Sequence, residues 1–84
     1  PGMPNEYQVH HTLPQKYSDL FEGTDINIHD VENLRGVPRD IHTMITNMWG
    51  NWDRNLDHSP DKDDVIEFAQ TIDKLFETFW YKEN

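Results

Sequence analysis

The sequence predicts a small α+β domain, mostly helical, with short strands near the front and an additional amphipathic helix at the C-terminal end. Three observations carry that expectation. Residues 5–11 alternate apolar and polar side chains, whereas apolar residues recur at helical spacing from Ile41 to Leu56 and from Val65 to Phe79. Proline and glycine punctuate the chain between those stretches.

Length and composition set the bounds. With 84 residues there is room for one modest core, and a chain this short buries only about 60–65% of its unfolded surface. The absence of cysteine excludes disulfides, thiolate zinc sites and cysteine nucleophiles. Any metal must be held by His, Asp, Glu, Asn or water. No apolar run approaches the ~20 residues that a membrane-spanning helix needs. Pro1-Gly2-Met3-Pro4 reads as a linker or cloning remnant, leaving a single domain over residues 5–84, expected to be an excised piece of a longer protein.

Taken in order, Asn5 to His11 set Tyr7 and Val9 against Glu6 and Gln8, the period of a half-buried strand. Strict alternation sends His10 and His11 to opposite faces. Both serve one site only if the strand ends there, and Pro14 makes an ending there plausible. Leu13, Tyr17, Leu20 and Phe21 then mark a short helix or helical turn, with Pro14 at its start and Gly23 as its stop. Asp25-Ile26-Asn27-Ile28-His29 alternates again and reads as a second strand. Asp30 to Asn33 form a turn, and Leu34 to Val37 return as a third extended piece.

A first long helix is expected from near Pro38 toward Leu56, with Ile41, Met44, Ile45, Met48, Trp49 and Trp52 on its apolar stripe. At 100° per residue the stripe centres roughly 70–80° from His42, which places His42 beside the buried face. Gly50 weakens this helix by about 1 kcal/mol relative to Ala, so a kink or break is expected there. Ser59-Pro60 reads as an N-cap followed by proline at the first helical position. From there an amphipathic helix carries Val65, Phe68, Ala69, Ile72, Leu75, Phe76 and Phe79 to about Trp80. Trp49, Trp52 and Trp80 are packing residues before they are base-stacking platforms, and His58 sits in an acidic, solvated loop.

Histidines supply the chemistry. Val9-His10-His11, Asn33 and the helical His42 resemble the signature of the HNH, or ββα-metal (His-Me finger), endonuclease superfamily. That resemblance implies a ββα-metal core of short antiparallel strands plus a helix. It also implies roles: His10 as metal ligand, His11 as general base, Asn33 as the bracing asparagine, and His42 as the first helical ligand. One divalent ion, Zn, Mg, Ni or Mn, would bind the scissile phosphate while a neutral imidazole takes a proton from water. Many members carry a further histidine one turn on; Thr46 stands there, so water completes the shell, the metal is weakly held, or the site is degenerate. His29, Thr46, Lys16, Arg35 and Arg39 are candidates for supporting or substrate contacts.

A narrower resemblance covers about residues 8–56. His10-His11-Thr12-Leu13-Pro14-Gln15-Lys16-Tyr17, then Ile26-Asn27-Ile28-His29-Asp30, His42 and Trp52 look like the nuclease toxins at the C-termini of bacterial polymorphic toxins, including Rhs-type, type VI secretion and contact-dependent systems. It implies a DNA-cleaving domain delivered by a secretion system into the target-cell cytoplasm and neutralised by a cognate immunity protein.

Charge argues the other way. Seven basic against sixteen acidic residues give a net charge of −9, whereas nucleic-acid binders usually carry a basic face. Half of the acids lie beyond residue 56, which would leave the burden on a distal helix rather than at the site. The same imbalance implies that an immunity partner presents Lys or Arg. The alternative is a catalytically degenerate ββα-fold protein-binding module; hydrolysis of RNA or nucleotides is a third, weaker reading.

Overall fold

The structure, a computed structural model, describes residues 7–80. Pro1 to Glu6, hence the expected linker and the first residues of the expected strand, lie outside the described residues. A two-stranded antiparallel sheet, β1 (Tyr7–His11) with β2 (Leu34–Pro38), is followed by helices α1 (Arg39–Asn55) and α2 (Lys62–Leu75). Shorter 3-10 turns span Gln15–Phe21, Val31–Asn33 and Glu77–Phe79. Helical conformations account for 59% of the described residues, so the mostly helical α+β class stands. Among those residues no helix is long and apolar enough to cross a membrane.

Register decides which face of β1 is buried. Gln8 pairs with Val37 and His10 with Arg35, and directly opposed residues share a face. Val37 is fully buried, so the inward set on β1 is Gln8 and His10; Val9, opposite Gly36, is 50% exposed. The expectation from alternation is therefore inverted for Val9. Burial of Val37 under α1 selects the face, and one valine on a short strand cannot outweigh it.

The core is built from one stripe per element. Val37 from β2, Ile45 from α1, and Val65 and Ile72 from α2 are its most fully buried side chains. Tyr17 and Phe21 close it from the first 3-10 turn, with Leu13 just before that turn. An aromatic group fastens the turn to both helices: Trp49 meets Phe68 edge-on at 4.8 Å, Trp52 stacks on Phe68 at 5.1 Å, and Tyr17 lies 5.8 Å from Trp49. Each such pair contributes about 0.5–1.5 kcal/mol beyond area burial. That anchoring on both sides of Gly50 explains why α1 runs unbroken through it. Met44, placed on the stripe by spacing, is half exposed at its edge.

Three further boundaries differ from the sequence reading. Asp25 to His29 is not a strand. Asn27 Oδ1 accepts the His29 amide at 3.0 Å and the Asn27 carbonyl accepts the Asp30 amide at 3.0 Å. Upstream, Thr24 Oγ1 donates to Phe21 O and accepts from the Ile26 amide. These local bonds satisfy the backbone without a ladder. The second helix begins after Asp61, not after Ser59. Asp61 Oδ1 accepts the Asp64 amide at 2.9 Å while Asp64 Oδ2 accepts the Asp61 amide at 3.1 Å. That reciprocal box satisfies two end donors at once, which Ser59 cannot do because Lys62, three residues on, offers no acceptor. The same helix ends at Leu75 rather than near Trp80, and the Glu77–Phe79 turn then brings Trp80 back over β1.

Candidate metal and nuclease site

Where β1 ends, its two histidines part. His10 is 5% exposed and faces α1 across the sheet edge. Its ring meets His42 edge-on with centroids 6.0 Å apart, and Trp80 stacks on it at 5.8 Å and 20°. Burial first, then the neighbouring His42, His11 and Arg35, push the His10 imidazole down to about 4. The ring is therefore neutral near pH 7. Its Nε2 is buried and has no hydrogen-bond partner among the described residues. A buried, neutral, unpartnered imidazole nitrogen is a lone pair or a donor left unused, which is costly without a function or ligand.

His11, half-buried, belongs to a different environment. Its Nε2 lies 3.1 Å from His29 Nδ1, the rings meeting edge-on at 5.1 Å. Its Nδ1 is 3.5 Å from Gln15 Nε2, the outer limit of a hydrogen bond. Burial and then His29 lower its pKa from the usual 6.5. Despite opposite starting directions, His10 and His11 line one cleft of about 330 Å³, together with Gln15, Lys16, His42 and Thr46. The strand ends at His11, and Pro14, which also lines the cleft, opens the 3-10 turn that follows.

Asn33 ties these pieces together from behind. Its carbonyl accepts both the Thr12 amide at 2.9 Å and Thr12 Oγ1 at 3.1 Å. Its side-chain Nδ2 donates to the Asn27 carbonyl at 2.8 Å. One residue thus links the segment after His11 to the turn that carries His29. It does not line the histidine cleft.

The remaining candidates divide. Thr46 lines the cleft, but its hydroxyl donates to His42 O at 3.0 Å within the helix. Lys16 lines it too, with Nζ on Asp53 Oδ2 at 2.8 Å. Arg35 lies outside it, bound to Asp73 Oδ2 at 3.1 Å and to the Glu32 and Leu34 carbonyls. Arg39 begins α1 beside Pro38, Asp40 and Thr43, away from the histidines. His58 is exposed and bridges Asp57 and Asp64, which hold its pKa above the usual value. Sequence reasoning places Gln15 within a motif but gives it no role, and it misses the contact of Trp80 with His10. Gln15 stands four residues after His11, a spacing that marks it; nothing local marks Trp80.

Among the described residues, no group of three or more His, Asp or Glu side chains is gathered to hold a metal. The imidazoles of His10 and His42 meet edge-on with centroids 6.0 Å apart, and no carboxylate among the described residues lines the cleft with them. The orphaned Nε2 of His10 fits a role as ligand, with water completing the shell. Comparisons of the chain with protein-family models, with curated proteins and with solved structures found no match.

Proposed function

We propose that this chain is an HNH-type, metal-dependent endonuclease toxin domain that hydrolyses DNA phosphodiesters and is neutralised by a cognate immunity protein. The observation that carries the reading is the single cleft that receives the buried, unpartnered His10, the helical His42 and the separately braced His11. His10 and His42 would hold the ion, and imidazole donors without a carboxylate suit Zn²⁺ or Ni²⁺ over Mg²⁺. When bound, a divalent ion supplies charge stabilisation at the scissile phosphate.

His11 performs the proton transfer. With Nε2 engaged by His29, the nitrogen left to accept a proton from water is Nδ1, whose contact with Gln15 is long. A pKa below 6.5 keeps that nitrogen unprotonated at neutral pH. His29 orients the ring, and Asn33 fixes the turn that carries His29. Among the described residues no Asp or Glu lines the cleft, which favours an approaching phosphate despite the overall charge of −9. Delivery by a bacterial secretion system into a target cell rests on the toxin-type resemblance alone.

Plasmid nicking with and without EDTA, on the wild type and His11→Ala, tests this reading. Expected are metal-dependent nicking by the wild type and a loss of about 100-fold or more in the variant. Equal nicking by the two proteins removes His11 as the base. The lack of a three-residue ligand group among the described residues, and Thr46 turned onto its own helix, favour a second reading: a catalytically degenerate binding module. Calorimetric titration with Zn²⁺ or Ni²⁺ at neutral pH that detects no site would select it. A parallel RNA substrate separates the weaker ribonuclease reading.

A further inference from the structure

A second cavity, of about 310 Å³, lies on the other side of Asn33, between the Asp25–Asn33 loop, β2 and α2. We propose that it docks a long cationic side chain, arginine or lysine, presented by a protein partner. Its floor is apolar: Leu13 and Ala69 from the core, with the half-buried Ile26 and Ile66 beside them. Its rim is acidic, with Asp25, Glu32 and Asp73 set against the lone cation Arg35. An apolar floor under an acidic rim complements a side chain with a methylene stem and a charged head.

Arg35 cannot neutralise that rim. Its Nη2 is spent on Asp73 Oδ2 at 3.1 Å, and its Nη1 donates to the carbonyls of Glu32 at 2.7 Å and Leu34 at 2.9 Å. Asp73 Oδ1 remains buried without a hydrogen-bond partner among the described residues. No ion pair among the described residues engages Asp25 or Glu32. Three carboxylates against one guanidinium leave an acidic excess at this mouth, in a chain of net charge −9. An incoming ammonium or guanidinium would supply the donor that Asp73 Oδ1 lacks.

A protein partner, not a free small molecule, is favoured by what flanks the mouth. Val31, adjacent to Glu32, is 83% exposed, an apolar contact outside the cavity that only a broader surface could cover. Pocketed cationic anchors ringed by apolar contact are a recurring arrangement at protein interfaces. The inference does not rest on the nuclease reading, since the cavity neither contains the histidines nor needs a metal.

Methyl NMR on the full chain tests it, with N-acetyl-L-argininamide and N-acetyl-L-lysinamide as probes. Saturable shifts are expected at the Ile26, Ile66 and Ala69 methyls with at least one probe, while Ile45, beside the histidine cleft, stays fixed. The neutral isostere N-acetyl-citrullinamide should bind about tenfold more weakly or worse, and Asp25→Asn combined with Glu32→Gln should weaken the better cationic probe similarly. Both substituted residues are exposed, so the variant keeps the fold, checked by its thermal melt. No saturable shift at those methyls, or equal affinity for citrulline, would overturn the proposal. Tighter binding of free L-arginine than of its capped amide would overturn the assignment to a protein side chain. None of these results bears on plasmid nicking.

Discussion

The two ends of the histidine cleft are built from different materials. At the inner end, His10 is held by packing: α1 presents His42, Trp80 covers the ring, and Nε2 is left without a partner. At the outer end, His11 is held by hydrogen bonds to His29 and, at a distance, Gln15. Asn27 and Asn33 pin the turn behind it. Neighbouring residues of one strand thus acquire unlike environments within about 3.8 Å of backbone. The difference teaches that ending a strand can give neighbouring imidazoles unlike surroundings: one is dried out and kept neutral, the other stays oriented and reachable.

Removing His10 or His42, the proposed metal donors, should have the largest effect. Loss of residues that merely support metal ligands costs 10–100-fold in affinity, so His10→Ala or His42→Ala should weaken Zn²⁺ binding by more than about 100-fold in calorimetry. His29→Ala should leave that affinity nearly unchanged. Equal losses at both ends would mean that the cleft is one undivided site.

Acid should also act on the inner end. His10 resists protonation in the folded chain but titrates near 6.5 when unfolded, so the unfolded chain binds more protons between about 4 and 6.5. Stability from this residue is complete above pH 6.5 and is lost as the pH falls toward 4, by about 3 kcal/mol at most. Urea denaturation across that range should show a slope that His10→Gln lacks. Parallel curves for the two proteins would contradict the burial argument.

A smaller effect is expected at the outer end. Asn33→Ala removes the bond to Asn27 O and should cost about 1 kcal/mol. Amide exchange should quicken at His29 and Asp30 while Ile45 in α1 stays protected. The smallest effect belongs to the rim. Lys16→Ala breaks an exposed pair with Asp53 and should change stability by no more than about 0.5 kcal/mol. Any larger loss would place Lys16 in the packing and not at the cleft mouth.

Much of this was legible beforehand because periodic burial leaves a periodic trace. Seventeen residues of α1 are marked by Ile41, Ile45 and Trp49 at spacings of four. The acidic start of α2 was visible too, although the capping partner was Asp61 instead of Ser59. Short elements were less readable. Asp25 to His29 has the alternation of a strand, but alternation carries no information about side-chain oxygens capturing the backbone, as those of Thr24 and Asn27 do.

At the candidate site, composition and spacing nominated His10, His11, Asn33 and His42, because those residue types supply lone pairs and a brace wherever the chain places them. Spacing could not tell which histidine would be buried, since the inward face of β1 follows from its register against Val37. It could not foresee Trp80 over His10, Arg35 committed to Asp73, or His29 beside His11. Those contacts join residues from 18 to 70 positions apart along the chain, and only the folded arrangement brings such distant groups within reach. The sequence determined the elements and the chemical groups available; the tertiary structure decided which groups meet, because register and helix packing are settled by burial summed over the whole core.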